Sequence, residues 1–236
     1  MNFKQRLWYI LTRWDFINYM FCMTCLFVVV TGIQFWITDY MIQVMSLEQT
    51  EAYKLFFLIG SVGPVLGIVC AALLFDRIGG YTDERAVRWC GIVGFGGMIC
   101  GMGSVAVDDN VINCAVLIML ELFCGAFVMP ACTGIMLNQV PPKLRTMANS
   151  VANFSYNLFG YLPAPIMYGY FYEMGDSKQN HYGLLSIQLF TVLSFCGFTV
   201  AYFRHKYVIR KYQHVEDFSL INLEGEVIES KYSLLG

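Results

Sequence analysis

Six long apolar runs constrain this chain more than any other feature in it. They cover residues 16–38, 55–75, 89–107, 110–142, 146–172 and 182–203, and Glu121 is the one charged residue inside them. About 20 apolar residues are needed to cross the hydrocarbon of a bilayer as a helix. Inside lipid the backbone polar groups must bond within the segment, so runs of this kind predict helices. The expected fold class is therefore all-α: a polytopic membrane protein with six transmembrane helices. The balance of residue types agrees, since 57% are hydrophobic and 14% charged, against roughly 25% charged in soluble domains.

The loops give an independent test of the count. Six spans put the N-terminal segment, the loop near Arg77, the loop at Lys143 and the tail on one side. Of the 15 Lys and Arg residues, thirteen fall there, and the other side holds only Lys54 and Lys178. One span more or fewer would scramble that partition. Cationic loops stay in the cytoplasm, so both termini are expected there. Three parts are expected: an interfacial amphipathic segment (1–14), a six-helix transmembrane domain (15–206) and an acidic cytoplasmic tail (207–236). In the first, Phe3, Leu7, Ile10, Leu11 and Trp14 recur at helical spacing among Lys4, Arg6 and Arg13. Such a helix lies along headgroups; the alternative is a plain extension of the first span. A net charge of −2 gives no basic signature for nucleic acid, so none is expected as a partner.

No phosphate-binding loop, metal-ligand spacing or nucleophile elbow is present, so neither an enzyme nor a metal or other cofactor is expected. Cys22 and Cys25 have a CxxC spacing, but they sit in an apolar run and read as small helix-packing residues. The informative residues are polar groups inside the spans, which are costly in lipid and tend to face a cavity or another helix. Glu121 lies about a third of the way into the fourth run. Ionised and exposed to lipid it would cost at least ~2.5 kcal/mol. It either lines a transport path, where it could carry a proton, or is a hydrogen-bonded packing residue. Asn149, Asn153 and Asn157 are four apart and share one helical face. They either line a polar cavity, with Asn153 and Asn157 the deeper candidates, or bond to neighbouring helices. Thr31 and Gln34 form a weaker polar stripe on the first span, with Thr24 and Thr38.

The segment Ala72-Leu-Leu-Phe-Asp76-Arg77-Ile-Gly79-Gly80 resembles the major facilitator signature G-x-x-x-D-R-x-G-[RK]-[RK]. Asp76, Arg77 and Gly79 match; Ala72 stands for the leading glycine and Gly80-Tyr81 for the basic pair. Thr31-Gly32-Ile-Gln34-Phe-Trp36 resembles the seventh span of Spinster-like proteins. Arg145-Thr-Met-Ala148 leading to Gly160-Tyr-Leu-Pro163-Ala-Pro165 and Gly169 resembles the eleventh span of organic anion transporting polypeptides and Spinster-like members. The resemblance spans about residues 15–205 and implies half of a major facilitator fold, spans seven to twelve. It implies that Asp76, Arg77, Gly79 and Arg145 belong to a cytoplasmic gate. It also implies that the substrate sits between two halves, so a second six-span half is an expected partner, supplied by a missing N-terminal part or by another chain.

The expected function is transport of a small organic solute, anionic or lipid-like, by alternating access. The expected substrate path is Glu121, Asn153, Asn157, Gln34 and Thr31. The alternative is a non-transporting membrane scaffold subunit derived from a transporter half. An acidic dileucine pattern ending at Leu220-Ile221 and a tyrosine-based pattern at Tyr232 to Leu235 point to endolysosomal membranes, with the plasma membrane as the other expectation. Membrane lipid surrounds the chain in either case.

Overall fold

The computed structural model describes residues 2–81, 84–107, 110–175, 181–204 and 206–207. All regular structure among these residues is helical. In order the helices are α1 (Phe3–Leu11), α2 (Trp14–Gln43), α3 (Gln49–Arg77), α4 (Glu84–Ala106), α5 (Val111–Asn138), α6 (Arg145–Ser155), α7 (Pro163–Glu173) and α8 (Tyr182–Arg204). Residues 1–201 form one compact unit. The second unit, Tyr202–Gly236, is described only at its start, where the rings of Tyr202 and Phe203 meet edge to face. All but the first residue of the acidic tail, both sorting patterns included, lies outside the described residues, as does Lys178.

Five helices, α2, α3, α4, α5 and α8, are each long and apolar enough to cross a membrane. The run expected as the fifth span is built differently. There α6 passes into a π-helical turn at Tyr156–Tyr161 and then into α7. The amide of Leu162 reaches back five residues to the carbonyl of Asn157 at 3.0 Å. Pro163 explains the break: it has no N–H, and its ring would collide with the carbonyl four residues earlier. One wider turn relieves that collision without ending the helix. From 145 to 173 the axis still rises roughly 40 Å at ~1.5 Å per residue, more than the ~30 Å of hydrocarbon.

Burial is inverted relative to a soluble protein. On α3, Phe57 is 75% exposed, and Val65, Leu66, Ile68, Val69 and Leu73 are about half exposed. A continuous apolar surface of that kind needs lipid or protein against it. The inner face of the same helix is small. A Cβ at Gly63 would lie 2.7 Å from the carbonyl oxygen of Met119, and one at Gly67 would strike the carbonyl oxygen of Phe123. The two glycines are one turn apart, so α3 lies directly against the backbone of α5, the close contact that small residues allow in membranes.

Polar side chains tie α2 to α8. Asn18 donates to the Gly197 carbonyl at 2.9 Å, and Ser194 donates to the Cys22 carbonyl at 3.2 Å. At the other end of α2, Trp36 donates from Nε1 to the Pro165 carbonyl at 3.1 Å and stacks on Tyr168 with ring centroids 4.9 Å apart. Cys22 and Cys25 are buried with free thiols, and no cluster of metal-ligating side chains occurs among the described residues. Helix α1 is set off from α2 by Thr12 and Arg13. It buries Ile10 while leaving Phe3, Trp8 and Leu11 exposed.

Candidate functional site: an open amide face and a buried acid

The α6 segment separates its faces by one residue step. Ala148, Ala152, Gly160 and Ala164 are buried at spacings of four or eight. They let the helix approach α2 closely: a Cβ at Gly160 would lie 2.8 Å from Phe27 Cβ and 2.9 Å from the Thr24 carbonyl oxygen. Asn149, Asn153 and Asn157 follow about 100° further round, and all three are exposed. Among the described residues their amides make no bond to a neighbouring helix. Asn153 donates to the Asn149 carbonyl at 2.9 Å, and Asn157 donates to the Asn153 carbonyl at 2.8 Å. Asn153 and Asn157 thus each keep a carbonyl oxygen and a second N–H for another partner. Gln34 on α2 is also exposed, and its neighbour Phe35 meets Tyr161 edge to face at 6.2 Å. An amide row bordered by aromatic rings is thus presented outward by α2 and α6.

Thr31 and Glu121 are not on that face. Thr31 is 1% exposed, packed inside the bundle one turn from Gln34. Glu121 is 4% exposed and accepts from Nε2 of Gln188 at 2.8 Å, which joins α5 to α8. Both Glu121 and Thr191 border a narrow cleft among α2, α4, α5 and α8 whose water-accessible volume is ≈ 30 Å³. One water needs roughly 10–15 Å³ on that measure, so the cleft has room for a few waters and not for a solute.

The signature segment ends α3. Gly79 and Gly80 have φ of +92° and +90°, and the amide of Gly80 bonds the carbonyl of Phe75 at 2.8 Å. This is a left-handed helix stop, which a glycine adopts without penalty. The departure at Tyr81 also has a structural reason. Its ring packs on Phe75 at 5.3 Å and fills the space over Gly134 of α5. Asp76 and Arg77 are exposed side by side at the end of α3, and Arg145 is exposed at the start of α6.

Two features were not singled out by residue type. Gln188 is one amide in an apolar run, and only the fold brings it to Glu121, 67 positions away. His181 and Tyr40 share a 2.5 Å hydrogen bond where α2 ends and α8 begins. Their pairing spans 141 positions, and no local spacing signals it. Against known proteins, a family model described as Major Facilitator Superfamily matches residues 3–165. No curated protein matches the chain.

Proposed function

Because the chain belongs to the major facilitator superfamily of membrane transporters, we propose that it forms one six-span wall of a carrier that moves a small organic solute, anionic or lipid-like, by alternating access. The open amide row carries this reading. Asn153, Asn157 and Gln34 are exposed in the midst of apolar spans, and amides facing lipid would be costly. They fit the inner wall of a central cavity, with a second six-span half as the opposite wall. Thr31 and Glu121 then stand behind the wall and support it. The aromatic border of Phe35 and Tyr161 suits an amphiphile, and the Spinster-like and organic anion transporter resemblances suggest the same cargo class. Asp76, Arg77, Gly79 and Arg145 are proposed as the cytoplasmic gate: Gly79 shapes the stop, and the three exposed charges are available to the other half.

The test is uptake of a fluorescent amphiphilic anion by membrane vesicles that carry the protein. Replacing Asn153 and Asn157 together by Leu should slow uptake roughly tenfold, the equivalent of one or two lost hydrogen bonds to a solute. Uptake at the rate of the unaltered protein would remove the amide row from the path. No uptake with any probe in a fluorescent anion series would favour the scaffold reading.

A further inference from the structure

The contact between Glu121 and Gln188 is half complete. Gln188 donates from Nε2 to Oε2 of Glu121 at 2.8 Å. The other two oxygens, Oε1 of Glu121 and Oε1 of Gln188, are buried and without a hydrogen-bond partner among the described residues. They flank a single point. A Cβ on Gly101 of α4 would lie 2.6 Å from the first and 2.5 Å from the second. Two buried acceptor oxygens that converge on one point repel, and each lacks a donor.

One hydrogen removes the conflict. We infer that Glu121 binds a structural proton on Oε1 and donates it to Oε1 of Gln188, so that acid and amide form a reciprocal two-bond pair sealed beneath Gly101. The pair has one bond in each direction, N–H to carboxyl and O–H to amide. Both orphaned oxygens then have a partner, and no net charge is buried. An ionised carboxylate would offer only acceptors and would leave the Gln188 oxygen empty. Among the described residues no cation offsets a charge at this site. Among the described residues the titratable neighbours of Glu121 are the thiols of Cys100 on α4 and of Cys114 and Cys124 on α5, while α8 contributes the neutral Gln188. The proton-bearing pair thereby pins α5 to α8 with α4 as its cover. This assignment goes beyond transport and does not depend on which solute is carried.

Infrared spectroscopy of the full chain in detergent at neutral pH tests it. The carbonyl stretch of a protonated carboxyl is expected in the unaltered protein and should vanish in Glu121→Gln. That variant places an N–H where the acid had its O–H, so an amide–amide pair replaces the original. Its melting temperature should stay within about 2 °C of the parent. In Gln188→Met the band should persist and move to higher wavenumber, because the acid has lost its acceptor. Absence of the band in the parent, or its survival in Glu121→Gln, would overturn the inference. So would an unmoved band in Gln188→Met, or a melting loss above roughly 5 °C in Glu121→Gln. Such a loss would show that the site needs an acceptor at that position instead of a donor.

Discussion

Gly101 shows how much of this protein is decided by atoms that are missing from a side chain. A methyl there would press on the oxygens of both Glu121 and Gln188. The two side chains are tied to each other by the 2.8 Å bond, so they must shift as a pair. Gly101→Ala should therefore lower stability by about 1–3 kcal/mol, the usual cost of forcing a group into a packed core. Gly91 lies on the same helix with nothing within 4 Å of its would-be Cβ. Gly91→Ala should be neutral, or stabilising by up to ~1 kcal/mol through helix propensity. Thermal unfolding of both variants in one detergent is the check, and equal losses would remove the distinction. The sequence showed Glu121 as a buried-charge problem because a carboxyl inside an apolar run is conspicuous. It did not show the solution. Glutamine is unremarkable in isolation, and the pairing depends on how α4, α5 and α8 pack, which no spacing records.

Among the elements, the α6–α7 segment departs furthest from its expectation. Its prolines and its glycine were visible in the sequence. Their consequence, a π turn that keeps the helix continuous while changing its winding, follows from the missing N–H of Pro163 and the contact made by Gly160. The asparagine row was legible because a period of four on a helix is simple geometry. Whether it faced outward or bonded to neighbours was not legible, since both choices use the same spacing. Gly160 is the pivot. A branched side chain there would meet the backbone of α2 at the Thr24 carbonyl as well as Phe27, and backbone cannot move aside as a rotamer can. Gly160→Val should cost about 1–3 kcal/mol and loosen α2 from the π turn. Trp36→Phe isolates a second tie. It keeps a ring to stack on Tyr168 but loses the donor to the Pro165 carbonyl at 3.1 Å. A loss of roughly 0.5–1.5 kcal/mol is expected. If melting curves showed Gly160→Val unchanged, the close approach would not be what joins α2 to α6.

For the whole molecule, the proposal to test first is that its loops alternate between two aqueous faces. Lys54 near the start of α3 and Lys143 just after α5 are separated by α3, α4 and α5. Three crossings would put them on opposite sides, and on the proposed orientation the cationic excess keeps Lys143 in the cytoplasm. A single cysteine at each position makes this measurable with a charged, membrane-impermeant maleimide on intact cells or sealed vesicles. Lys54→Cys is a mild change. It breaks an exposed contact with Glu51 at 2.7 Å, and exposed pairs of this kind contribute ~0–1 kcal/mol. Lys143 is exposed in the short turn between α5 and α6. The native thiols should give little background. Most are wholly or partly buried, and Cys70 and Cys196, though exposed, sit within the apolar spans α3 and α8; a charged reagent stays in water. Labelling is expected at one engineered site from each face: Lys54→Cys from the non-cytoplasmic side and Lys143→Cys only after the membrane is opened. Labelling of both from one side would mean an even number of crossings between them. One of α3, α4 and α5 would then fail to span, and the amide face of α6 would be left without a cavity to line.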